Sequence, residues 1–152
     1  MKNIFLLLVL IIAVCSLQAQ EQTAQVMQEN ARTLMQGGDF DNAIILYEKA
    51  KQKDPNNIDI QKDLCYTNFL KRDFSRAIEV GKDMVDNPNA DPQAFQILGL
   101  AYKAIASYKD AGVLYRKGLK KFPNSGVIYN EYAENYALDN EIDEAITQWK
   151  KE

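Results

Sequence analysis

The stretch Gly38 to Pro55 reads GDFDNAIILYEKAKQKDP, and versions of it return three more times along the chain. Its internal alanine keeps the count, because Ala43, Ala77, Ala111 and Ala145 are spaced 34 residues apart. Self-similarity at a fixed period of this length marks a stack of helix pairs, in which each unit buries its apolar face only against its neighbours. With the alanine at place 20 of a unit, the units run 24–57, 58–91, 92–125 and an incomplete 126–152, after a leader at 1–19 and a short lead at 20–23. Such an architecture presents a surface.

The spacing of side chains within a unit supports the same conclusion. Apolar residues of the first half recur three and four apart, as in Ala94, Leu98, Ala101 and Ile105, which makes one face of a helix of about 14 residues. A helix that short is marginal in water alone, so it must be packed. Small residues mark where the two helices of a pair cross: Ala31, Cys65, Gly99 and Ala133 face Ala43, Ala77, Ala111 and Ala145. A large side chain there would overpack the crossing by ~1–3 kcal/mol. Phe40, Phe74, Tyr108 and Ile142 open the second helices as large plugs.

Charges and prolines mark the ends. Asp39 and Asp41, Asp73 and Ser75, and Glu141, Asp143 and Glu144 sit at the starts of second helices, whereas Lys51 and Lys53, Lys120 and Lys121, and Lys150 and Lys151 sit at their ends. That polarity suits the helix macrodipole. Pro55, Pro88 and Pro123 then turn the chain into the next unit. Gly112 and Gly118 fall inside one helix at about 1 kcal/mol each relative to alanine, so they are expected either to admit a close neighbour or to let the helix fray.

In this numbering the third unit has Phe95 at place 4, Leu98 at 7, Gly99 at 8, Tyr102 at 11, Ala111 at 20, Tyr115 at 24 and Pro123 at 32. The first has Ala31, Ala43, Tyr47, Ala50 and Pro55 in phase, the second Leu64 and Ala77, and the fourth Tyr129, Ala133, Tyr136, Ala145 and Trp149. This pattern resembles the tetratricopeptide repeat over essentially everything after the leader. The second unit departs from it at Cys65, Gly81 and Asn89. The resemblance implies an all-α, right-handed superhelix of about four stacked antiparallel helix pairs that binds other proteins and carries no cofactor.

Composition bounds the chemistry. The 152 residues contain no histidine, which excludes Ser-His-Asp and Cys-His catalysis and every His-ligated metal site. A net charge of −3 makes a poor polyanion binder. At the N-terminus, Lys2, an apolar run from Ile4 to Val14 and the small Ala19 match a secretory signal peptide cleaved near Ala19. The competing reading makes Cys15 a lipidated N-terminus, but Val14 stands where a lipobox requires Gly, Ala or Ser. The first reading implies a periplasmic or secreted protein, the second an outer-membrane lipoprotein. With Cys15 removed, Cys65 has no disulfide partner within the chain and reads as a packed, inert thiol.

Few other residues invite chemistry. The acidic run Asp139, Glu141, Asp143 and Glu144 lacks the ligand alternation and turn glycine of a calcium loop and reads as helix capping. Arg116, Lys117, Lys120 and Lys121 read as a solvated face rather than a phosphate site. Tyr129, Tyr132 and Tyr136 read as core. Ile142, Ala145, Ile146 and Trp149 have no following helix to cover them, so this end is expected to continue into further chain, self-associate or dock on a partner.

What remains is the concave face, which in the family is lined by places 2, 5, 9, 12 and 13 of the first helices. Those places hold Gln25, Gln28, Arg32, Met35 and Gln36, then Asp59, Lys62, Tyr66, Phe69 and Leu70. The third and fourth units add Gln93, Gln96, Leu100, Lys103 and Ala104, and Val127, Asn130, Glu134, Ala137 and Leu138. The expected partner-binding set is Arg32, Lys62, Tyr66, Phe69, Leu70, Gln93, Gln96, Leu100, Lys103, Asn130 and Glu134, with Tyr66, Phe69, Leu70 and Leu100 as its apolar centre or, in the plainer reading, as packing. The family's binders of chaperone tails grip a terminal carboxylate through five places that here hold Gln28, Arg32, Asp63, Gln93 and Ile97. That clamp is absent, and Asp63 would repel a carboxylate. The expectation is a non-catalytic interaction scaffold of a bacterial envelope, binding a peptide or helical segment. The alternatives are the N-terminal portion of a larger envelope enzyme or sensor, and an assembly or ligand-binding lipoprotein.

Overall fold

The structure is a computed structural model that describes residues 23–149, and their side chains as far as residue 140. The expected leader at 1–19, Cys15 included, lies outside the described residues. Among the described residues seven helices follow one another: α1 Ala24–Gln36, α2 Phe40–Lys53, α3 Ile58–Leu70, α4 Phe74–Asp86, α5 Pro92–Ala104, α6 Tyr108–Lys121 and α7 Gly126–Trp149. The described residues contain no strand, and none of their helices is long and apolar enough to cross a membrane.

The 34-residue period reappears in the backbone. Gly38, Arg72 and Ala106, one period apart, take positive φ angles of 82°, 68° and 56°. Each closes the same C-terminal motif, in which the next amide reaches back five residues: Asp39 N to Leu34 O at 2.9 Å, Asp73 N to Asn68 O at 3.0 Å, and Ser107 N to Tyr102 O at 2.9 Å. Asp39 and Asp73 then cap the second helices through the amides of Asn42 and Arg76, at 3.3 and 3.1 Å. Ser107 makes no such bond. Pro55, Pro88 and Pro123 stand two residues past the ends of α2, α4 and α6.

First helices pack on one another in sequence, α1 with α3, α3 with α5 and α5 with α7, whereas the backbones of the described second helices stand farther apart and meet through long charged side chains, as Arg76 of α4 meets Glu48 of α2 at 2.9 Å. The first helices therefore line the inner side of the curve and the second helices stand outside. The core runs between them through Ala31, Ala43, Tyr47, Leu64, Cys65, Phe95, Leu98, Ala111, Tyr115 and Ile128, all essentially buried. The plugs Phe40, Phe74 and Tyr108 are only half-buried, while Ile142 lies beyond the described side chains.

Places 8 and 24 compensate one another in volume. A Cβ on Gly99 would come within 2.0 Å of the Tyr115 hydroxyl and 2.6 Å of its Cζ, so the missing methyl is the slot for that ring. In the second unit the sizes reverse. Cys65 fills place 8, its thiol donating to Ala77 O at 3.2 Å, and Gly81 stands at place 24. There the side chain of Leu98 closes in, 2.6 Å from where a Cβ would be. Two of the three places in which the second unit departs from the family pattern, Cys65 and Gly81, thus form one swap.

The fourth unit differs from expectation. Residues 126–149 form one continuous helix, so Asp139, Glu141, Asp143 and Glu144 lie within α7 instead of capping a new helix. Tyr129 and Tyr136 are 53% and 65% exposed and are not core, whereas Tyr132 is half-buried and packs against the core beside Tyr115, 6.2 Å between ring centroids. Among the described side chains of α7 the buried ones are Ile128 and Asn135, the face that meets α5 and α6. Of the two glycines in α6, Gly118 serves close approach, since a Cβ there would lie 2.9 Å from both Phe95 and Ile128. Gly112 has no atom nearer than 3.6 Å to that position and is not required by packing.

Candidate functional site

The inner face is held together by hydrogen bonds between neighbouring first helices, again at one-period intervals. Gln28 Nε2 donates to Asp63 Oδ2 at 2.7 Å, and one double period later Gln96 Nε2 donates to Glu131 Oε1 at 2.8 Å. Both bonds join place 5 of one unit to an acid at place 6 of the next. Arg32 adds a bond to Asp63 at 2.8 Å, and Lys103 bridges Glu131 at 2.8 Å and Glu134 at 2.6 Å. Place 6 of the third unit is Ile97, so Lys62 turns instead to Asp91 at 2.7 Å, Asp59 at 2.9 Å and Gln93 at 3.2 Å. Asp91 also caps α5 through the Ala94 amide at 2.9 Å.

These bonds set the electrostatics. Burial works against the charge on Lys62, but its bonds to Asp91 and Asp59 more than offset that and raise its pKa. Lys103 is raised in the same way, burial being outweighed by Glu131 and Glu134. Burial would raise Glu131, yet Lys103, Gln96 and the Tyr115 hydroxyl together hold it below the usual carboxylate value. Every groove cation is therefore matched by acids of the chain itself.

Between these rungs lies an open cavity of about 390 Å³. Tyr66, Ile97 and Leu100 form its apolar wall, Gln93 and Gln96 present amides, and Arg32, Lys62, Asp59 and Asp63 make the charged floor. Tyr66 is 37% exposed, with its ring stacked on Phe69 at 6.0 Å.

Of the expected set, the structure brings Arg32, Lys62, Tyr66, Gln93, Gln96 and Leu100 to this cavity. Lys103 and Glu134 sit beyond it as an ion pair, and Asn130 is exposed on α7. Phe69 and Leu70 do not line it. Phe69 is half-buried between Tyr66, 6.0 Å between ring centroids, and Phe74 at 5.8 Å, where α3 turns into α4. Sequence reasoning left out the acids at place 6, Asp63 and Glu131, as builders of the face. The signal for them was present, since each follows by one period and one residue a glutamine at place 5.

Other candidates resolve differently. Cys65 is fully buried, and burial pushes its thiol up to about 12. Within the basic cluster, Lys117 pairs with Asp86, Arg116 donates to the Tyr132 hydroxyl at 3.0 Å, and Lys121 donates to Asn87 O at 3.3 Å. Among the described residues no group of three or more acids or cysteines is placed to hold a metal ion.

No protein-family model matches the chain. Solved structures do. The first tetratricopeptide-repeat domain of Spaghetti (RPAP3), bound to the HSP90 peptide SRMEEVD, superposes with a TM-score of 0.65 at 24% identity, over 78% of this chain and 94% of that one. The tetratricopeptide-repeat domain of Sgt2 from Aspergillus fumigatus gives 0.67 at 21% identity, over 82% of each chain. The C-terminal part of a repeat-containing protein from Cytophaga hutchinsonii gives 0.69 at 24% identity, over 82% of this chain and 48% of that one. At these identities the shared property is the fold. The chain thus has the fold of a tetratricopeptide-repeat solenoid, its described residues forming three helix pairs and one long helix.

Proposed function

We propose that this protein is a non-catalytic interaction scaffold that holds an extended segment of a partner protein in its concave face. The observation that carries the reading is the cavity between α3 and α5, with a partly exposed tyrosine and two aliphatic side chains beside two amides. An aromatic or aliphatic side chain of the partner would fill the space against Tyr66, Ile97 and Leu100, while Gln93 and Gln96 bond its backbone. Aromatic anchors ringed by polar groups supply most of the binding energy at such surfaces.

The charge pattern narrows the partner. The Spaghetti (RPAP3) domain was solved with an acidic HSP90 peptide. In this chain Gln28 and Arg32 are both engaged by Asp63, and Lys62 by Asp59 and Asp91. An acidic tail would have to break those bonds, and truncating or displacing one partner of a desolvated charge pair is costly. The segment that fits is uncharged around its anchor and internal to its chain. The apolar run Ile4–Val14 supports export, so the partner would be another protein of the bacterial envelope or exterior.

Selection of extended peptides from a displayed library on the purified protein tests this. Selected peptides should carry a large apolar residue and lose at least tenfold in affinity on Tyr66→Ala, but not on Val113→Ala on the outer face. Affinity unchanged by Tyr66→Ala together with Leu100→Ala would remove the groove assignment. N-terminal sequencing of the mature protein tests export, with a start near Gln20 expected and an intact Met1 contradicting it.

A further inference from the structure

Charge is divided between the two sides of the array. Among the described side chains, the first helices α1, α3, α5 and α7, the last counted to residue 140, carry three cations and six acids. The second helices α2, α4 and α6 carry ten cations and six acids. The helices of the inner side are therefore net −3 and those of the outer side net +4. A concave surface of one sign concentrates its potential and draws in a segment of the opposite sign.

Two of the inner acids are surplus to the chain's own pairing. Lys62 is bonded to both Asp59 and Asp91, at 2.9 and 2.7 Å, and Lys103 to both Glu131 and Glu134, at 2.8 and 2.6 Å. Asp91 and Glu131 are tied further, Asp91 to the Ala94 amide and Glu131 to the Gln96 amide. Asp59 and Glu134 are the open members, with 62% and 61% of their side chains exposed, against 12% and 13% for Lys62 and Lys103. When Asp59 or Glu134 turns to a cation from outside, each lysine keeps its other acid and no enclosed charge is left unpaired. An acidic ligand meets the reverse, since it would have to strip a lysine from its acids.

We propose that the segment held in the groove is basic on both flanks. Its uncharged anchor lies against Tyr66, Ile97 and Leu100, and beyond the anchor's immediate neighbours stand two lysines or arginines, one paired with Asp59 and the other with Glu134. The inference rests on the groove reading given above and narrows it to one class of partner. Asp59 belongs to α3 at the cavity, and Glu134 to α7, one helix past the α5 wall. Neighbouring helix axes lie about 8–10 Å apart, so two spacings make about 16–20 Å. An extended chain covers that in roughly five to six residues, with the anchor between the two cations.

Random peptides of about twelve residues, displayed and selected on the purified protein in about 0.05 M salt, test the charge assignment. Peptides whose affinity falls at least tenfold on Tyr66→Ala should carry Lys or Arg, three or more residues from the apolar anchor, at least tenfold more often than Asp or Glu. Their synthetic forms should bind at least tenfold more weakly to the double variant Asp59→Asn with Glu134→Gln, and should lose most of their advantage over Glu-substituted versions at about 0.5 M salt. Both altered side chains are exposed and both lysines keep an acid, so helicity should not change. The composition of the selected peptides decides even where the double variant is less stable. Tyr66-dependent peptides without a basic excess, or with affinity unchanged by the double variant, would overturn the charge assignment and leave the groove standing. Basic peptides that bind Tyr66→Ala as well as wild type would overturn it too, since the attraction would then be that of the acidic side at large. Selection of no peptide would remove both readings.

Discussion

The third and fourth units carry the same register with opposite outcomes. Gly99 is buried under Tyr115, whereas Ala133, one period later, is exposed between two exposed tyrosines. Residue type does not explain the difference, since Tyr102 and Tyr136 are both tyrosine at place 11. A first helix is buried by the helix that returns over it, and the return is what the fourth unit lacks among the described residues. Each return requires a residue in the left-handed region. At Arg72 and Ala106 that is unfavourable by roughly 1–2 kcal/mol. In those units the returning helix is clasped by the next first helix, α4 by α5 and α6 by α7, which offsets the strain. No described helix follows α7, and there the straight conformation is the one observed.

Substitution at place 8 should widen the contrast most. Gly99→Ala forces the added methyl into the Tyr115 ring, where no flexible side-chain end can yield, so we expect a loss of about 3 kcal/mol, seen as a fall of roughly 10 °C in melting temperature. Ala133→Met at the exposed counterpart should change the stability of dilute protein by less than about 0.5 kcal/mol. Equal effects at the two places would mean that the fourth unit is covered after all.

The hydrogen-bonded rungs come next. Glu131→Gln removes the charge that holds Lys103 and should cost about 1.5–3 kcal/mol in denaturant unfolding near neutral pH. The sign of its pH dependence follows from the folded-state values. Glu131 is held below its ordinary value of 4.5, so its contribution is complete above that pH and is lost as pH falls through the folded value. Lys103 is raised above 10.5, so its contribution is present below that pH and lost as pH rises beyond it. The difference between wild type and Glu131→Gln should therefore shrink below about pH 4.5. A difference that grows with acidity would contradict the pairing.

The two glycines of α6 give a smaller and opposite pair of effects. Gly118→Ala should destabilise by about 1–2 kcal/mol through Phe95 and Ile128. Gly112→Ala has room and should stabilise by up to about 1 kcal/mol. Smallest of all, Cys65 should resist alkylation at pH 8 in the native protein and react once unfolded.

Much of this was readable from the residues. Recurring alanines, acids before second helices and prolines after them placed α1 to α6, because those signals act within a few residues. The end of the array was not readable. Asp139-Asn140-Glu141 is as compatible with a turn as Lys71-Arg72-Asp73, so the local residues do not reveal that α7 runs on through Asn140. Tyr129 and Tyr136 were misplaced for the same reason, while Tyr132 packs against the core as expected. In the groove, family positions led to Tyr66, Lys62 and Leu100 but passed over place 6, whose acids bond across units. That Phe69 contacts Phe74 as well as Tyr66 was not legible, because it depends on how sharply α3 turns into α4.

The central claim is that the inner face between α3 and α5 is where a partner is held. A photo-reactive phenylalanine analogue placed at Tyr66 on the inner face, and separately at Val113 on the outer one, tests it directly in the native host. The account predicts one discrete adduct from position 66, competed away by the selected peptides, and none from position 113. Adducts from 113 alone, or from 66 without competition, would contradict it.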